Sequence, residues 1–162
     1  MRMDDSEAEF PLDMGEMLGP IVRPELRDIS LHSCRVRLAD LASLLKRLPD
    51  SVDYIGLWKV RLISGTWEEA LDVLREKVCN YMALYRPAGG ECSNLAPDDY
   101  AAVFETTDFD RDTAAQVYAM HRVHHQPNPL RVLRDWTQNP NEEQNFILDQ
   151  DGTEDEDSDM EE

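Results

Sequence analysis

His121-x-x-His124-His125 places His121 and His124 one turn apart on a predicted helix, a spacing that suits a divalent metal such as zinc. Cys92 or His32 would then supply a third ligand. No Cys-x-x-Cys pair supports the site, and histidines near a helix C-terminus are equally expected from the helix dipole. No metal ligand and no cofactor are assigned, and a small metal-binding protein using His121/His124 stands as an alternative. Asp108-x-Asp110-x-Asp112 has the acid spacing of a metal or phosphotransfer loop. No hydrophobic strand precedes it, and acids at a helix start are stabilised by the dipole, so it reads as capping. Asp149-Gln-Asp-Gly152 is no calcium loop, because Ile147 would fill the first ligand position. The chain has no Gly-rich phosphate loop, no Gly-x-Ser-x-Gly and no His-Glu-x-x-His. Nothing marks Cys34, Cys79 or Cys92 as an activated thiol. No catalytic residue is assigned, and the chain reads as non-enzymatic.

Two patterns point to binding instead. Leu41-Ala-Ser-Leu44-Leu45 has the leucine spacing of helices that dock in apolar grooves, although Leu38 and Leu48 extend it as a core stripe would. Phe146, Ile147, Leu148 and Asp149 open an acidic tail, where an apolar trio followed by acids suits strand addition to a partner with a basic rim. Thr153 and Ser158 are followed by acids, as acidophilic kinases prefer, and each phosphate would add about −1.5 to −2 charge.

Charge supports the same direction. The formal net charge is −18, divided as −5 in residues 1–20, −11 in residues 139–162 and −2 between them. The expected partner is another protein with a basic surface; direct nucleic-acid binding is disfavoured by repulsion from phosphates. A second hypothesis is an acidic mimic or chaperone that shields a histone or a nucleic-acid-binding protein. Mean hydropathy is −0.56 and no apolar run is long enough for a membrane span. The start lacks a basic-then-apolar leader, and three widely spaced cysteines imply no disulfide framework. The expected place is intracellular, in the nucleus or cytoplasm.

The elements that would position these residues predict a mainly α fold, with α+β possible. The expected domain is small and helical, with one or two short strands, at 25–138. Acidic disordered tails at 1–24 and 139–162 flank it. Residues 28–37 suit a short bulged strand. Leu38, Leu41, Leu44, Leu45 and Leu48 form one helical stripe stopped by Pro49. Residues 54–64 predict a single strand, with Trp58, Val60 and Leu62 on one face. Thr66 and Glu69 form a capping box for a long helix over 67–85, since Trp67, Leu71, Leu74, Val78, Tyr81 and Tyr85 follow at spacings of three and four. Shorter helices are expected at 97–104, at about 110–125 behind Thr107 or Asp108, and after Asn128-Pro129. No internal repeat is evident.

Overall fold

The computed structural model describes residues 24–77, 79–108, 111–120 and 125–138. Among the described residues six strands occur: β1 (Asp28–His32), β2 (Arg35–Arg37), β3 (Tyr54–Trp58), β4 (Arg61–Ser64), β5 (Tyr81–Tyr85) and β6 (Ala88–Gly89). The helices are α1 (Leu38–Arg47), α2 (Trp67–Glu76), α3 (Pro97–Phe104), α4 (Ala114–Ala119) and α5 (Pro129–Gln138), with a 3-10 turn at Gly90–Ser93. Strands β1, β3 and β5 form one parallel sheet, and β2, β4 and β6 form a second.

The mainly helical expectation is corrected. Helix takes up 44% of these residues and strand 22%, but the two parallel sheets organise the chain, so the fold is α/β. The expectation of no repeat is also overturned. The described residues wind through three stacked coils, each with a first strand, a corner and a second strand; the first two return through α1 and α2, and the third runs into the 3-10 turn. Ser33, Lys59 and Arg86 make the corners at φ 49°, 54° and 48°, recurring 26 and 27 residues apart. Positive φ is costly for these residue types, and three occurrences at one position show that the turn geometry demands it. Backbone bonding runs through the corners: Ser33 N–H donates to Trp58 O (2.8 Å) and Lys59 N–H to Tyr85 O (2.7 Å). This is a quasi-one-dimensional architecture in which each coil packs on its neighbours.

The bulged strand expected at 28–37 is two strands, parted at Ser33. The expected single strand at 54–64 is two, because Lys59 reverses the side-chain parity. Val60 and Leu62 enter the core, while Trp58 stays on the outer face of the first sheet. The expected helix at 67–85 ends at Glu76, and Tyr81 and Tyr85 lie on β5. A spacing of four residues fits one face of a strand as well as one face of a helix, so those tyrosines continued the apparent stripe. The helix expected at 110–125 begins at Ala114 behind a capping box of Thr113 and Gln116, not behind Thr107 or Asp108. Helices α1, α3 and α5 lie where the sequence predicts them.

The core is laddered. Ile29, Ile55 and Met82 stand in register, as do Leu31, Leu57 and Leu84. Helices α1 and α2 cover them with Leu41, Leu44, Leu45, Leu71 and Leu74. Trp67 is fully buried and its indole N–H donates to Ala88 O at 2.9 Å. The Glu91 carboxylate accepts from the amides of Trp67 (2.6 Å) and Glu68 (2.7 Å), so the third coil caps the helix of the second. Met82, on the outer strand of its sheet, has its amide on Met120 Sδ (3.2 Å) and its carbonyl on the Gln116 amide (2.9 Å). Those two contacts close the edge of the stack.

Helix α5 is clipped to α2. Buried Asn128 donates to Glu68 O and to Asp72 Oδ1, both at 2.9 Å, and Arg131 bridges Glu68 and Asp72. Burial pushes the Asp72 carboxyl up, but hydrogen bonds from Tyr118, Asn128 and Arg131 outweigh it and hold the group below its ordinary value.

Two expectations follow. Gly89 has φ +74°, and a Cβ there would stand 2.0 Å from Leu62 O. Gly89→Ala therefore costs about 3 kcal/mol or more, read as a lowered urea midpoint; an unchanged midpoint would contradict the stacking of the third coil. A carboxyl held low in the folded state stabilises it above the unfolded value and loses that effect as pH falls through the folded one. The stability gap between wild type and Asp72→Asn should thus be open at about pH 6 and shrink towards about pH 3. A gap independent of pH would remove the ionised Asp72 from the clip.

Candidate partner-binding face

Alternation along β1, β3 and β5 sends one parity into the core and the other outward. The register lines the outward residues into three rows across the coils: Asp28, Tyr54, Tyr81; Ser30, Gly56, Ala83; and His32, Trp58, Tyr85. The outer rows are largely aromatic and the central row is small. His32 and Trp58 stack with centroids 5.8 Å apart, and Trp58 meets Tyr85 at 5.4 Å. Tyr54 stacks on Tyr81 at 5.8 Å. Tyr81 and Tyr85, at the two ends of β5, are 44% and 43% exposed.

Gly56 sets the pose of this face. A Cβ at Gly56 would stand 2.7 Å from Ser30 Oγ, 2.8 Å from the Tyr54 hydroxyl oxygen and 2.9 Å from Trp58 Nε1. The two aromatic side chains therefore lean inward over the glycine, and three polar atoms converge above it. Among the described residues, none of the three has a hydrogen-bond partner. At the third coil the face deepens into a groove of about 540 Å³. Trp58, Tyr81 and Tyr85 form its floor, with Phe104, Asp112 and Gln116 on the opposite wall. Helix α3 holds that wall, since Tyr100 donates to Pro87 O at 2.9 Å.

Of the sequence-derived candidates among the described residues, His32 lies on this face and Asp112 lines its groove. Leu41, Leu44 and Leu45 are 1%, 6% and 3% exposed on α1 and serve the core, so they offer a partner no surface in this fold. Phe146, Ile147, Leu148, Asp149, Thr153 and Ser158 lie outside the described residues, as do His121 and His124. Asp108 pairs with Arg111 at 3.2 Å, and Asp112 immediately precedes the Thr113 cap of α4; Asp110 is outside the described residues. His32 is engaged in the aromatic row, and Cys92 is in the 3-10 turn. Among the described residues, no group of three His, Cys, Asp or Glu side chains is placed to hold a metal ion.

The sequence carries a signal for this face that periodicity alone does not reveal. Asp-Ile-Ser-Leu-His at 28–32, Tyr-Ile-Gly-Leu-Trp at 54–58 and Tyr-Met-Ala-Leu-Tyr at 81–85 share an aliphatic second residue, a small third and an invariant fourth Leu within this chain. In two of the three copies, aromatic residues bracket the motif. Comparison of the chain with protein-family models, with curated proteins and with solved structures finds no match.

The thiols are quiet. Burial, with Glu91 adding to it, pushes Cys92 up to about 12, and burial likewise raises Cys34 and Cys79. Cys92 should react slowly with iodoacetamide at about pH 8 in the native protein and quickly in denaturant, as mass spectrometry of the labelled peptide reads. A fast native reaction would reopen Cys92 as a nucleophile.

Proposed function

We propose that this protein is a non-enzymatic protein–protein interaction or regulatory module. It holds one partner on the outward face of the first sheet and uses its acidic tail for basic surfaces. The aromatic rows of that face carry the reading. Tyr and Trp supply large, rigid, amphipathic contact area and dominate the energetics of protein interfaces. Here Tyr54, Trp58, Tyr81 and Tyr85 lie together over a trough of small residues. Stacked repeats present extended surfaces of this kind, and the 26–27-residue period falls in the range of leucine-rich coils. The first coil reads Ile29-x-Leu31-x-x-Cys34-x-Val36, close to the Leu-x-Leu-x-x-Asn/Cys-x-Leu core of that repeat.

The partner we favour is an extended peptide segment. The groove is open along the rows, and the polar atoms of Ser30, Tyr54 and Trp58 suit hydrogen bonding to a peptide backbone between apolar anchors. Phe146, Ile147, Leu148 and Asp149 remain tail contacts in this scheme, with Thr153 and Ser158 as sites where phosphate would strengthen attraction to a basic partner. Three free cysteines suit a reducing, intracellular place, nucleus or cytoplasm. Among the described residues no helix is long and apolar enough to cross a membrane.

A displayed random-peptide library panned on the full chain tests the face. Enriched peptides should share a motif and bind about 30-fold more weakly to Trp58→Ala/Tyr85→Ala, with circular dichroism unchanged. No enrichment, or equal binding to the double variant, would sink the face as a partner site. A polybasic peptide serves for the tail: its binding should weaken steeply with salt and fall on removal of 139–162.

A further inference from the structure

The second sheet carries a feature that the first does not. Its outward positions and the adjoining corners hold Arg35, Arg37, Lys59, Arg61 and Arg86. Arg35 and Arg61 stand opposite each other in parallel register, which brings two guanidinium groups onto neighbouring strands. Lys59 and Arg86 occupy equivalent corners of successive coils, one residue beyond Trp58 and Tyr85. Arg37, Lys59, Arg61 and Arg86 are all exposed. Among the described residues, none of these four has an ion-pair partner. In contrast, Arg131 and Arg134 on α5 are tied to Glu68. A chain of net charge −18 thus keeps four exposed cations, Arg37, Lys59, Arg61 and Arg86, without an ion-pair partner among the described residues.

We propose that this basic row is the docking site of the chain's own acidic C-terminal segment, residues 149–162. Charge selects the occupant. That segment holds nine Asp or Glu and no Lys or Arg, whereas residues 1–20 carry a net charge of only −5. Reach permits it. Ten residues separate Gln138 from Asp149, a span of roughly 35 Å when extended, against a radius of gyration of about 13 Å for a domain of this size. Tethering raises the local concentration of acids to the millimolar range, so weak individual contacts suffice. Apolar contact is available as well: Ile63 is 44% exposed and shares the face of β4 with Arg61, and Phe146-Ile147-Leu148 immediately precede the acids. A docked tail would run beside the His32, Trp58, Tyr85 row. It would stand at the border of the partner face and be displaced by any stronger polycation. The inference is independent of whether that face binds peptide.

Zero-length carbodiimide coupling of the full chain tests the docking, because the chain has only three lysines. Lys59 lies in the row, Lys46 is exposed on α1 away from it, and Lys77 is held by Leu48 O, Pro49 O and Asp50. At low protein concentration, tail carboxylates should couple to Lys59 at least about fivefold more often than to Lys46. Raising salt from about 0.05 to 0.5 M shortens the screening length about threefold and should abolish the preference. Arg37→Glu/Arg61→Glu, which keeps Lys59, should also lose it while leaving the circular dichroism spectrum and Lys46 coupling unchanged. Equal coupling to Lys46 and Lys59, or a preference that survives salt or the charge reversal, would overturn the proposal. So would coupling to Lys59 from residues 1–20, or coupling that rises with protein concentration, which would place a second copy's tail there. Retention of a single-stranded oligonucleotide by the full chain at about 0.15 M salt would assign the row to nucleic acid and equally overturn it.

Discussion

Every described strand runs parallel to its neighbours. A parallel strand cannot find its partner through a tight turn; the chain must travel up a helix and return before the next strand can pair. That constraint sets the repeat length, the need for a corner, and the stacking of like on like. It also decides where the chain tolerates strain. The corner must turn the backbone without interrupting the ladder; Ser33, Lys59 and Arg86 accept positive φ, and the Ser33 and Lys59 amides reach the next coil. Three coils are present among the described residues, too few for repetition alone to cover the last one. The far end is closed by side chains, Gln116 and Met120 answering the two outward groups of Met82.

Gln116 shows how economically that closure is made. Its side-chain carbonyl accepts from the Thr113 amide to complete the capping box of α4, and its amide donates to Met82 O. One residue therefore starts a helix and ends a sheet. The same logic operates at Glu91, which leaves the third coil to satisfy the first amides of α2. These contacts link elements that the repeat alone would leave independent, and they place the wall of the groove against the aromatic face.

Much of this was legible residue by residue and lost at the level of pattern. Helices α1, α3 and α5 announced themselves through Pro97, Pro129 and the leucines before Pro49, because capping and periodicity are local signals. The α2 capping box was equally local and correctly placed. The strands were harder. Five-residue strands carry only two inward residues each, too few for period two to stand out, and Tyr81 and Tyr85 continued the spacing of the preceding helix. The corners were illegible for a different reason. Left-handed turns are normally advertised by Gly or Asn, and here the positions hold Ser, Lys and Arg, so composition suggested an unbroken strand. The third coil hid the repeat further by replacing its helical return with a 3-10 turn. Only an alignment of the chain on itself, with Leu31, Leu57 and Leu84 superposed, brings the period out.

The same superposition separates what the fold requires from what it leaves optional. The inward positions repeat because stacking coils must present matched apolar surface to one another: Ile, Ile and Met at one level, Leu three times at the next. The outward positions have no such obligation. Any polar residue would serve a solvent-facing parallel sheet, yet Tyr54, Trp58, Tyr81 and Tyr85 occupy them, and Gly56 accepts the β-strand penalty of glycine so that two rings can lean across it. The second sheet and its corners add exposed cations, with Arg37, Lys59, Arg61 and Arg86 lacking an ion-pair partner among the described residues. Stability of the stack explains neither selection. Both are local departures from what the coils need, on adjoining faces of one scaffold, and residues chosen against the preference of their own fold are where a binding role is to be sought.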